Sequence, residues 1–569
     1  MIGVSTPKVC WRYPEGVGDV WGRCLGIRPR QSGSGFIGVQ PKHAAKTRKR
    51  FRLATASLMT SVLAFGIGFP VCADAKVTKL EIASKQSYGT FRPGEFVFWE
   101  GRIVGELRPT EKIPDIDKAP RNADGLVEYS AKISLIFPKN PKSGNGALLV
   151  DIPNRGRPYA QALYNSPRDE PFEAGTSEVG TGFLQDRGFA VAEVTWELGQ
   201  GAELPSFTDS SGQKRFVEGV GFAIVRDAAD FLAHATSDAS GTANPLQGAV
   251  KRTLASGKSQ SGRYLKTFLL NGFNMAERRR VFDGMHVFVS GAGMLPIMQS
   301  GTGPQSSATG SPSFENPEFR GVHEDVLTIG EIIKRVKARG ETPPRIIMIN
   351  STSDYFSLRA SLARTGGEGT TELPFPDDVR VYDIAGASHV ILQKANCELP
   401  LARLDWSPVS RATLLHLDDW VSKGTEPPES RLMPLEEAKG DPAVLRAPSH
   451  LPKAIIEIPK RDEDGNVVGG VRLPDMEAPL GVNARQNPPL SFLCMLGGAY
   501  VAFPRTPEDA DATHDAHRPV LARYKTRNEF VSRIRTAARE LEADGFTFDR
   551  VIDVLPWQHI LVFRPAADR

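Results

Sequence analysis

The chain has 569 residues, 40% of them hydrophobic and 24% charged, and carries a formal net charge of +4 at pH 7. That length accommodates one large domain or two to three ordinary ones, and the composition is that of an ordinary globular protein. Part of the small positive excess sits in residues 1–52, and the rest of the chain has no lysine-rich arm interleaved with aromatics, which excludes a nucleic-acid-binding surface.

The first segment reads as a targeting sequence. Lys46, Arg48, Lys49, Arg50 and Arg52 form a basic cluster, an apolar run follows from Leu53 to Val71, and small residues stand at Ala73 and Ala75. That order is the order of a secretory signal, with cleavage expected after Ala73 or Ala75. The alternative is an uncleaved anchor, since the run is about long enough to span a bilayer. Thr55, Ser57, Thr60, Ser61 and Pro70 weaken the anchor reading. Residues 1–45 are rich in Gly, Pro and Arg without periodicity and read as an over-extended start or a leader. The mature protein is therefore expected to be periplasmic or secreted, without stable membrane insertion once the signal is removed. Of five cysteines, Cys10, Cys24 and Cys72 fall in the leader and Cys397 and Cys494 remain. In an oxidising compartment these two form one disulfide or stay as buried thiols; the sequence leaves both open.

From Val77 to Phe137 the pattern is short and strand-like, broken at Pro93-Gly94, Pro109 and Pro114. Strands and helices then alternate to about residue 425. Ala147 to Ile152 and Phe189 to Trp196 are near-continuous apolar runs, as in strands buried on both faces. Gly221 to His234 spaces Phe222, Val225, Ala229 and Leu232 as one face of a helix. Thr253 to Ser256 reads as a strand and Gly262 to Leu270 as a helix. Val287 to Ser290, Ile346 to Asn350 and Val379 to Ile384 read as three more strands. This alternation predicts an α/β fold with a mostly parallel central sheet flanked by helices. Thr425 to about Arg485 is rich in proline and charge and reads as an elaborated surface connection with an Asp464-Gly465-Asn466 turn. A last helix is expected from Arg527 to Ala543, stopped by Gly545. The organisation is a leader over residues 1–75, a catalytic domain over 76–425 with an N-terminal β extension, and a C-terminal extension over 426–569 packing on it.

The segment from Ala255 to Arg263 lies between a predicted strand and a predicted helix. A nucleophile elbow needs a serine on a sharp turn with small neighbours two places away on each side. Gly257 and Ser261 meet that need around Ser259, whereas Ser261 would have Arg263 as its neighbour. A serine hydroxyl needs a base to take its proton, and the partners are expected later in the chain in the order acid, then histidine. Strand Ile346 to Asn350 leads into Asp354, and strand Val379 to Ile384 leads through Ala385-Gly386-Ala387-Ser388 to His389. Both stand at the carboxyl ends of strands, where open α/β sheets gather their sites. Among the other histidines, His286 starts a strand and reads as core, and His234 and His416 lie on helices. An oxyanion hole needs two backbone N–H groups. The expected donors are Gln260, just after the nucleophile, and Arg155 in the turn Pro153-Asn154-Arg155-Gly156. No metal is expected, because no His-Glu-x-x-His spacing occurs and His514 with His517 reads as a solvated loop. No cofactor is expected either.

These segments resemble a bacterial family of α/β-hydrolase domains. The resemblance is carried by Ala119 to Asn122 with Gly125 to Tyr129, Pro153 to Gly156, Ser259 to Arg263, Ala385 to His389, Trp420-Val421 with Gly424 to Ser430, and Arg523-Tyr524 with the final helix. The elbow from Gly257 to Arg263 is also similar to that of tannases and feruloyl esterases, where the equivalent of Ser259 is the nucleophile. The resemblance implies a hydrolase and supplies no substrate. The expected reaction is hydrolysis of a small-molecule carboxylic ester or lactone through a Ser259–His389–Asp354 triad. Two alternatives stand beside it: an amidase or peptidase with the same triad, and a non-catalytic periplasmic binding protein. Glu197 to Gly201 is expected to line the pocket, Trp196 to be core, and Gly291 to Gly310 to form a long mobile loop over the site.

Overall fold

The structure is a computed structural model and describes residues 76–166, 179–295, 300–301, 326–367, 370–392, 394–448, 450–488, 491–546, 550–552 and 560–562. The expected leader and signal lie outside the described residues, as do residues 296–299 and 302–310 of the expected loop. Strands β1 (Lys76–Phe91), β2 (Gly94–Leu107) and β3 (Val127–Pro138) form an antiparallel meander. The strands are longer than the proline breaks suggested. Pro93-Gly94 belongs to the tight β1–β2 turn, and Pro109 and Pro114 fall in the β2–β3 connection, so none interrupts a ladder.

The meander continues into a larger sheet made with β4 (Ala147–Ile152), β5 (Ala190–Val194), β6 (Ala202–Glu203), β7 (Arg252–Lys258), β8 (Gly284–Phe288), β9 (Arg345–Ser351) and β10 (Val379–Ile384). The order is β1-β2-β3-β5-β4-β7-β8-β9-β10, with β6 pairing β3. All pairs from β5 to β10 are parallel. From β4 the chain moves outward to β5 and then returns to place β7 on the other side. The crevice at a reversal of this kind, beyond the carboxyl ends of β4 and β7, is where open α/β sheets place their ligands.

Successive residues of these strands point to opposite faces, and each face has its own core. Leu148, Val150, Ala255, Met285, Val287, Ile346 and Met348 join one cluster with residues of α1 (Val220–His234), α2 (Gln260–Leu270) and α3 (Ile329–Ala338). Ala147, Leu149, Leu254, Phe288, Ile347 and Ile349 join the other. That second cluster takes its cover from α5 (Ser407–Lys423), with Leu414, Leu417 and Trp420; the short α4 (Thr352–Ser357) follows β9. Burial on both faces explains why these strands read as continuous apolar runs.

The region after residue 425 is more deeply built in than a surface connection. Arg431 and Val471 bridge Tyr382 and Ile384 in parallel register along the outer edge of β10. These bridges occupy an edge at which another chain could otherwise pair. Met433, Val467, Val471 and Met476 are fully buried there. The Asp383 carboxylate fixes the contact, accepting from Asn350, from the Tyr355 hydroxyl at 2.7 Å and from the Met433 N–H at 3.0 Å. Further on, α6 (Phe492–Gly497) approaches the end of β10, and α7 (Arg527–Ala543) places Leu541 against the same core. No helix among the described residues is long and apolar enough to cross a membrane.

Candidate active site

Strand β7 turns into α2 through Ser259, whose backbone lies at φ 60°, ψ −113°. A non-glycine residue at positive φ is strained and persists only where its surroundings hold it. Here the Ser259 N–H donates to Phe288 O at 2.9 Å, and Ser259 O accepts from the Arg263 N–H at 3.0 Å. The turn is so tight that a Cβ on Gly257 would stand 2.5 Å from Ser261 O. Ser261, the other serine of the segment, is fully buried and its Oγ has no hydrogen-bond partner among the described residues.

Asp354 sits in the first turn of α4 as half of a capping box with Ser351, and its Oδ2 accepts from the Ser351 N–H at 2.7 Å. His389 follows β10. Its N–H donates to Ser353 Oγ at 2.6 Å and to Leu496 O of α6 at 3.1 Å. The disulfide Cys397–Cys494, with Cα atoms 5.7 Å apart, ties the chain after His389 to that same helix. The result is a continuous relay. His389 Nδ1 is 2.7 Å from Asp354 Oδ1, and His389 Nε2 is 3.0 Å from Ser259 Oγ. Asp354 is wholly buried and His389 is 4% exposed. The imidazole is thus held at both nitrogens, with one facing a carboxylate and the other a hydroxyl.

The two expected oxyanion donors are placed differently. Gln260 opens α2, so its N–H belongs to the donors a helix leaves unpaired at its start. The turn after β4 puts Arg155 at φ 50° and Gly156 at φ 75°. The Arg155 N–H does not stand open; it donates to Gln260 Oε1 at 3.1 Å. The reason is local: the buried Gln260 amide satisfies its oxygen there, and its Nε2 donates to Glu197 Oε1 at 3.1 Å. Glu197 is buried, and burial pushes its carboxyl above the usual range. Asn154 Nδ2 donates to Lys258 O at 2.9 Å, joining the β4 turn to the elbow.

A family profile described as "Alpha/beta hydrolase domain" matches residues 116–553. The chain belongs to the alpha/beta hydrolase domain family. Among solved structures this hydrolase-family chain is similar to the rice cell wall degrading esterase LipA from Xanthomonas oryzae, at 14% identity over 38% of this chain and 50% of that one, with a TM-score of 0.21. It is also similar to a promiscuous CE15 esterase from a marine bacterial metagenome, at 11% identity over 55% and 84%, TM-score 0.24. A putative acetyl xylan esterase from Bacteroides fragilis aligns at 12% identity over 53% and 69%, TM-score 0.25. The chain spans about half the length of the LipA chain given first. A search of curated proteins finds no match.

Other residues named from the sequence of this α/β hydrolase lie away from the relay. Trp196 is core, its indole N–H donating to Pro153 O at 2.8 Å. His286 is buried between the Tyr164 hydroxyl at 2.9 Å and Thr413 Oγ1 at 3.0 Å, and burial pushes it down to about 3. His234 is exposed, and His416 bonds Gly545 O at 3.0 Å. His517 pairs with Asp515, and no group of three or more potential metal ligands occurs among the described residues.

Sequence reasoning passed over two residues. Ser353 holds the His389 backbone; a serine next to Asp354 carries no signal of that role. Lys258 stands between Gly257 and Ser259 and is only 8% exposed. Its Nζ lies 5.1 Å from the Tyr159 ring centroid and 5.4 Å from that of Trp406. Burial pushes this ammonium down to about 8, opposed by the negative charge of Asp354. A lysine beside a serine reads as an exposed residue unless the rings that cover it are known.

Proposed function

We propose that this α/β hydrolase is a serine esterase that cleaves small-molecule carboxylic esters through an acyl-enzyme, with no cofactor. The observation that carries the reading is the unbroken Ser259–His389–Asp354 relay on a strained elbow. In the first half-reaction His389 Nε2 takes the Ser259 hydroxyl proton as Oγ attacks the ester carbonyl. Asp354 holds the imidazole in the tautomer with a proton on Nδ1 and stabilises the imidazolium that forms. The tetrahedral oxyanion accepts a hydrogen bond from the Gln260 N–H, while the Arg155 N–H holds the Gln260 side chain beside it. Imidazolium then protonates the departing alkoxide. Water enters, His389 activates it, and the acid leaves with Ser259 restored. Lactones follow the same course. Amides need the leaving nitrogen protonated and are expected to be slower.

The Cys397–Cys494 disulfide and the signal-like leader support a periplasmic or secreted location. The test of function is hydrolysis of p-nitrophenyl butyrate, a lactone and an anilide by the protein and by Ser259→Ala and Ser261→Ala. Ser259→Ala is expected to lose ester hydrolysis by on the order of 10⁴-fold or more, and Ser261→Ala to keep most of it. Undiminished hydrolysis by Ser259→Ala overturns the reading.

A further inference from the structure

We propose that the ester this site takes carries a carboxylate, and that Lys258 holds that carboxylate against Tyr159 and Trp406. The inference rests on the reading of Ser259 as nucleophile. Lys258 ends β7, one residue before Ser259, so its side chain starts at the reaction centre. The faces of Tyr159 and Trp406 lie near its ammonium and attract the cation without neutralising it. Among the described residues Lys258 Nζ has no hydrogen-bond acceptor and no ion-pair partner. That is an unusual condition for a residue so enclosed, because lysine is almost never buried unpaired. Asp354 is near enough for its charge to be felt, but its two oxygens are already taken by His389 and Ser351.

An uncompensated ammonium here works against the reaction. His389 must become cationic in the transition state, and a second positive charge nearby opposes that step. A carboxylate on the substrate removes the opposition. It supplies the missing counter-charge, completes the hydrogen bonding of Nζ, and leaves the Asp354–His389 pair free to act as if Lys258 were neutral. A neutral ester leaves the ammonium unmatched throughout. Charge at this position therefore selects for an anionic substrate rather than for esters in general.

The experiment compares matched esters, each rate being divided by that ester's rate with hydroxide. For the acyl side the pair is mono-p-nitrophenyl glutarate and its methyl ester. For the leaving-group side it is p-carboxyphenyl butyrate and p-carbamoylphenyl butyrate. The expected result is that the anionic member of at least one pair wins by about ten- to hundredfold in kcat/KM, the range of a charged hydrogen bond. In Lys258→Met that ratio is expected to fall to near one, and in Lys258→Arg to be partly restored. A ratio near one in the unaltered protein, with neutral esters hydrolysed and Ser259 acylated, overturns the inference and leaves the esterase reading standing. A preference that survives in Lys258→Met overturns it as well. Failure to hydrolyse any of the four, with no acylation of Ser259, removes the esterase reading and this inference together.

Discussion

Replacing Asp354 by asparagine separates geometry from charge at the relay. The carboxylate accepts two hydrogen bonds, from His389 Nδ1 and from the Ser351 N–H, each at 2.7 Å. Asparagine keeps the shape but offers one acceptor oxygen and one amino group. The Ser351 N–H is a fixed donor and can only be met by the oxygen. The amino group is then left facing His389, which must present a bare Nδ1 and move its proton to Nε2. In that tautomer Nε2 donates to Ser259 Oγ and can no longer take its proton. The loss of kcat/KM is expected to be about 10⁴-fold, or about 5.4 kcal/mol of barrier at 1.36 kcal/mol per decade. Stability is expected to change by only about 1 kcal/mol, because both hydrogen bonds are re-formed. The assay is p-nitrophenyl butyrate hydrolysis, with circular dichroism melting as the folding control. A loss below about tenfold in a folded Asp354→Asn protein refutes the assignment of Asp354 as the group that orients His389.

Three further outcomes follow from the structure. Reduction of Cys397–Cys494, or Cys494→Ser, opens a bridge of sequence separation 97 and is expected to cost about 2–5 kcal/mol in denaturant unfolding; because that bridge ties α6, whose Leu496 holds His389, activity should fall before global unfolding. Unchanged activity in the reduced folded protein would speak against that coupling. Gly257→Ala is expected to cost about 1–3 kcal/mol and most of the activity, since the added Cβ meets backbone atoms at 2.5 and 2.7 Å; wild-type melting and turnover would refute the tight elbow. Asp151 is fully buried, and burial pushes its carboxyl from 3.8 up to about 7, opposed by the Ala160 and Tyr159 N–H groups that bond its Oδ2. With the folded-state pKa raised, the native state holds the proton more tightly. Its contribution to stability is therefore full below about pH 4 and declines as pH rises toward about 7, at about 1.4 kcal/mol per unit. Asp151→Asn should flatten that decline in melting curves, and an unchanged slope would exclude Asp151 as its source.

The parallel part of the fold was legible because its strands are buried on both faces. Ala147–Ile152 and Val379–Ile384 have the bounds that their apolar runs suggest, and Arg527–Ala543 has the bounds of its helical pattern. The candidate site residues could be placed from the sequence because each follows a strand end: Ser259, Asp354 and His389 stand just past one, and their side chains meet. What depends on distant neighbours was not legible. The Arg155 N–H is taken by Gln260, 105 positions later, and nothing local to the Pro153–Gly156 turn announces it. The enclosure of Lys258 requires Tyr159 and Trp406, from two other parts of the chain. The C-terminal region looked polar because its prolines and charges lie among a few large buried residues. Its value lies in the β10 edge it covers and in the Leu496 carbonyl it brings to His389. The proline breaks near the N-terminus were misleading for the opposite reason: they fall in connections and leave the ladders whole.

The most direct test of the central claim is fluorophosphonate labelling of the purified protein, with the modified residue located by peptide mass spectrometry. One label is expected, on Ser259, persisting in Ser261→Ala and disappearing in Ser259→Ala. A label on Ser261 or on any other residue, or no label on a folded protein, would contradict it.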